Sequence, residues 1–144
     1  MTPEHIAMGA HMLALLFALV NIALADWKGL QWMRGKVQTL PARSMWMLHN
    51  HIWMALAVLI LSGAAIATYH VNELMASPAF GAKLAAIVAL TFNGVYIRRT
   101  MRIASEMPFA QVPQAKRRAL YLSGIISTIA WATAIVAAGF ILPE

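Results

Sequence analysis

Five histidines and ten methionines carry the chemistry open to this chain, which has no cysteine and only five acidic residues. Without thiols there is no disulfide, thiolate zinc site, iron–sulfur cluster or thiol redox couple to consider. Imidazole with thioether suits soft Cu(I), and imidazoles on facing helices suit heme b. In the opening stretch "HIAMGAHM" the residues His5, Met8 and Met12 share one helical stripe with His11 beside it, an arc of about 120°. His70, in a later segment, approaches that stripe if the first two helices pack together. His5 and His11 differ in depth by about 9 Å on a helix, so at most one of them matches His70. His11 and His70 are therefore the leading ligand pair, with His5, Met8 and Met12 completing a candidate metal set. Lys83 would repel a bound cation but suits a heme propionate or Glu73, which favours heme over copper.

The second cluster, "MWMLHNHIWM" over 45–54, looks richer and is geometrically poorer. His49 and His51 are separated by about 200° of helix rotation, so they do not face one metal together. His49 and His70 lie about 60° apart in azimuth and about 30 Å apart in depth, which suits two stacked sites. An inner heme on His49 lacks a second histidine, since the first helix offers only Asn21 and Asp26 at that level. Interfacial histidines also need no ligand at all, and that plainer alternative stands beside the metal reading. Trp27, Trp32, Trp46 and Trp53 read as aromatic-belt residues at a membrane surface.

What must position these side chains is set by composition. Of 144 residues, 61% are hydrophobic and 11% charged, far from the usual soluble balance. Four apolar segments, 6–25, 52–69, 79–97 and 119–142, each approach the roughly 20 residues that a helix needs to cross a bilayer. The connections are short, which favours antiparallel neighbours. The expectation is an all-α integral membrane protein: a single domain over 1–144, an up-down bundle of four transmembrane helices near 5–26, 42–70, 79–99 and 117–142.

Charge sets the orientation. The net charge is +6, and ten of the eleven basic residues lie either in 28–43 or in 98–118. Those two connectors lie on one face, which the positive-inside rule makes cytoplasmic, with the N and C termini extracytoplasmic. This distribution speaks for anionic lipid head groups and against nucleic acid. "Ala-Leu-Ala" before Asp26 imitates a signal-peptidase site, but no basic residue precedes it, so the first helix is expected to be retained. Ser62, Gly63, Ala64 and Ala67, with Gly124 and Thr128, are the small residues of close helix approach. Asn93, Ser123, Ser127 and Thr133 are candidates for hydrogen bonds between helices. No carboxylate lies at mid-membrane, which disfavours proton pumping and secondary transport.

"HIWMALAVLILSGAAIA" and "FGAKLAAIVALTFNGVYIRRTM" together resemble the central helical pair of the CopD-like copper-resistance membrane proteins. The shared features are a Ser-Gly midway along one helix, a Lys opening the next and an Asn before a basic end. The resemblance covers about a third of the chain and implies copper uptake or handling, with Lys83 and Asn93 as framework. The combined expectation is a small inner-membrane, multi-pass protein that binds heme b or a copper ion near the extracytoplasmic face, in electron transfer or metal homeostasis. The alternative is a non-catalytic accessory or assembly subunit, its apolar flanks packed against a larger complex or a second copy.

Overall fold

The computed structural model describes residues 2–141, and everything described is helical, turn or coil, with no strand. Four helices are long and apolar enough to cross a membrane: α1 Pro3–Met33, α2 Ala42–Ala67, α4 Pro78–Glu106 and α5 Gln114–Ile141. A short α3, Val71–Ala76, and a 3-10 turn at Phe109–Gln111 complete the order. The chain divides into two units, one comprising residues 1–70 with 102–111, the other 71–101 with 112–144.

In the first unit, α1 begins where Thr2 caps it, its hydroxyl accepting from the His5 amide at 3.3 Å, with Pro3 in the first turn. The helix runs past Asp26, where the sequence suggested an end, to Met33. It stops at Gly35, whose φ of +69° is left-handed, while Lys36 N–H donates to the Gln31 carbonyl at 2.9 Å. That six-to-one bond with glycine in the left-handed position is a Schellman stop. The connector turns back through Pro41 into α2.

Two buried stripes form the α1–α2 seam. Ala14, Ala18 and Asn21 are buried on α1, and Ala55, Leu59 and Ser62 on α2, with Ala18 at 0% exposure. Alternate steps of three and four residues, filled with alanine and serine, let two helices approach closely. The pairing is antiparallel: His11 meets Ser62 while Asn21 meets His51. The far end of α1 and its connector are held by 102–111. Trp32, 3% exposed, donates from Nε1 to the Met107 carbonyl at 3.1 Å and packs edge-on against Phe109. Leu40 N–H donates to the Ala104 carbonyl at 2.8 Å. Trp32, expected as a belt residue, is thus a packing residue, whereas Trp27 and Trp46 stay exposed.

In the second unit, the segment expected as a plain outer loop contains the single-turn α3 before α4 starts at Pro78. α4 and α5 are tied by Asn93 and Ser123, both buried. Asn93 Nδ2 donates to the Ser123 carbonyl at 2.9 Å, and Ser123 Oγ donates to Asn93 Oδ1 at 2.7 Å. Each partner satisfies the other, which is what an amide inside a helix pair requires when water is excluded.

Candidate functional site

The chemistry-bearing side chains of the first unit lie along the α1–α2 seam at three levels. At one end His70 Nε2 donates to Glu4 Oε1 at 2.9 Å, both side chains partly exposed. His5 folds back onto the Thr2 hydroxyl and is exposed.

At the second level, His11 Nδ1 lies 2.9 Å from Ser62 Oγ. The Ser62 hydroxyl already donates to the Val58 carbonyl at 2.6 Å, so its oxygen is the acceptor and His11 carries its proton on Nδ1. Gly63 lies against this ring. A Cβ there would meet His11 Cε1 at 3.4 Å.

At the third level, Asn21 Nδ2 donates to the Phe17 carbonyl at 2.8 Å, which turns its Oδ1 toward α2. His51 Nδ1 donates to that oxygen at 3.1 Å, and the Phe17 ring lies 5.5 Å from the imidazole. His51 therefore carries a proton on Nδ1, and its Nε2 has no hydrogen-bond partner among the described residues. The Ser62 and His51 levels are eleven residues apart on α2, about 16 Å.

The expected ligand set is dispersed by this geometry. His11 contacts α2 at residue 62 and His70 contacts α1 at residue 4, so the two lie about 10 to 12 Å apart along the seam rather than at one level. Met8 is half-buried and Met12 exposed, and Lys83 is half-buried on α4 in the other unit. His49, buried, has its Nε2 taken as acceptor by the Trp53 indole at 3.0 Å within α2, so an inner heme on His49 would require that bond to be surrendered. Trp53, expected as a belt residue, is half-buried and is this donor. Among the described residues no group of three His, Cys, Asp or Glu is placed to hold a metal ion.

Sequence reasoning passed over His51 because it lies opposite His49. That separation is why it faces α1 while His49 turns to Trp53. Asn21, Ser62 and Glu4 as histidine partners were not singled out. The signal for one of them, Asn21, was the three-and-four spacing that continues from His11 through Ala14 and Ala18 to it. No family model, no curated protein and no solved structure matches the chain, so the site is read from its own geometry.

Proposed function

We propose that the chain is a small multi-pass inner-membrane protein, basic connectors cytoplasmic and both termini outside, that holds heme b or a copper ion on the α1–α2 hairpin, at the level of His51 toward the cytoplasmic connectors rather than near the extracytoplasmic face as first expected. The role that follows is electron transfer or metal homeostasis. One observation carries the reading: His51 donates Nδ1–H to an oriented Asn21 oxygen, which leaves Nε2 as the nitrogen that can face a ligand. Metal-ligating histidines are held in this way by a partner on their other nitrogen, which fixes the tautomer and raises basicity. An ionisable residue within a membrane-length helix also points to function more often than one in a soluble core. A heme iron can take a single imidazole, whereas a copper ion caged by three imidazoles or carboxylates does not fit the described residues. The resemblance of α2 and α4 to CopD-like proteins keeps copper in view through His11 and the methionines.

The test is the absorption spectrum and the metal content of the protein purified in detergent. A Soret band, lost in His51→Ala and kept in His70→Ala, supports the heme reading. A band insensitive to His51→Ala removes His51 as the ligand. Absence of both a Soret band and stoichiometric copper ends the redox reading.

A second reading is favoured by a different observation: every imidazole has a protein partner, namely Thr2, Ser62, Trp53, Asn21 and Glu4. Three of these pairs, His11–Ser62, His51–Asn21 and His70–Glu4, join the two sides of the seam, so these histidines serve as locks between them. The protein is then an accessory or assembly subunit in a larger membrane complex or a homo-oligomer.

A further inference from the structure

A groove of about 450 Å³ runs between α4 and α5 in the second unit. Its walls are Ala89, Phe92 and Tyr96 on α4, and Ala119, Leu122 and Ile126 on α5. Asn93 and Ser123 are turned onto each other, so apart from the Tyr96 hydroxyl the trough offers methyl groups and rings. It is open to the surroundings: Phe92 is 74% exposed and Leu122 57%. From Ala89 to Tyr96 it extends about 10 Å.

One end of this trough is cationic. Arg99 stands one helical turn beyond Tyr96, and Arg118 is adjacent to Ala119; both are exposed. Helix rotation puts Arg99 within about 20° of Phe92, and Arg118 within about 40° of Leu122. Because α4 and α5 are antiparallel across Asn93 and Ser123, those two positions lie on the same face of the hairpin, at one level. Arg98 points to the opposite side of α4, and Lys116 is turned about 160° from Arg118 on α5. Neither 78–101 nor 112–141 contains a single Asp or Glu, so nothing in these stretches offers a carboxylate to the two guanidiniums.

We infer that this groove is a binding site for an anionic phospholipid, with an acyl chain along Ala89–Tyr96 and Ala119–Ile126 and the phosphate between Arg99 and Arg118. Guanidinium takes phosphate oxygens in a planar, bidentate fashion. Tyr96, apolar in body and polar at the tip, suits the level where chain gives way to head group. The inference rests on the chain being membrane-embedded and is independent of any heme or copper, so an absent Soret band leaves it standing.

The experiment is native mass spectrometry of the full chain after equilibration with equimolar phosphatidylglycerol and phosphatidylcholine of matched acyl chains. Each cation near an anionic head group is worth roughly fivefold, so the wild type is expected to retain phosphatidylglycerol by about 25-fold. R99Q/R118Q should bring the preference to within about twofold of parity, while R98Q/K116Q, which removes the same charge from the other side, keeps it. A119F, which fills the trough, should reduce retention of both lipids. Parity in the wild type overturns the proposal. So does an equal loss of preference in R98Q/K116Q, which would show diffuse surface attraction, and so does lipid retention by A119F at the wild-type level. Because all four substituted cations are exposed, the two charge variants read binding rather than folding.

Discussion

Hydrogen bonds between membrane helices contribute about 0.6 kcal/mol on average and about 1.7 at most, because the separated helices also find partners. The Asn93–Ser123 pair makes two such bonds in a buried position and belongs at the upper end. Ser123→Ala removes the donor to Asn93 Oδ1 and is expected to lower stability by about 1 to 2 kcal/mol, read from unfolding in mixed micelles. Asn93→Leu with Ser123→Ala should lower it by less than the two single changes together, since no polar atom is then left unmet. On the histidine seam, Asn21→Leu withdraws the oxygen that orients His51. If a heme is bound there, its affinity should fall by about 10- to 100-fold while His70→Ala leaves it unchanged, measured by heme titration. The histidines were legible in the sequence as candidate ligands, and Asn93 and Ser123 were two of four residues expected to bond between helices, without their pairing. The partners of the histidines were not, because helical rotation gives the face a residue points to and leaves the register against the neighbouring helix open.

Helix α1 is where the element boundaries departed most from expectation. The aromatic and basic residues after Asp26 suggested an interfacial connector, yet Gly29 is absorbed into the helix and Gly35 supplies the stop. A glycine inside a helix weakens it by about 1 kcal/mol, which seven further residues of backbone bonding and the burial of Trp32 outweigh. Trp32→Phe should cost about 1 kcal/mol through the lost bond to Met107, and Trp32→Ala about 3 to 5, the difference reporting packing against Phe109. The close α1–α2 approach has its own test at Gly63. A Cβ there meets His11 Cε1 at an ordinary contact distance, so Gly63→Ala should be accommodated. Gly63→Leu should destabilise by about 1 to 3 kcal/mol and displace the His11 ring, seen as loss of its bond to Ser62 in imidazole NMR shifts. The long helices themselves were plain from hydropathy, because spans of that length and apolarity have few soluble counterparts.

At the scale of the molecule, the orientation is open to a direct test because the chain has no cysteine to remove. Single cysteines at Thr2 and Glu73 should react with a membrane-impermeant maleimide in intact cells. Single cysteines at Lys36 and Gln114 should react only after permeabilisation. Labelling of Lys36→Cys from outside would reverse the topology derived from the basic connectors. The link between Asn21 and His51 also has a meaning in time. Synthesis proceeds at about 5 to 20 residues per second, so the histidine that accepts α1 as its partner emerges about 2 to 6 s after Asn21 does. Throughout that interval the Asn21 amide has only its own helix to bond, through the Phe17 carbonyl. The first span therefore gains its side-chain partner on α2 only when the second has been made, so the two helices of this seam are completed as a pair.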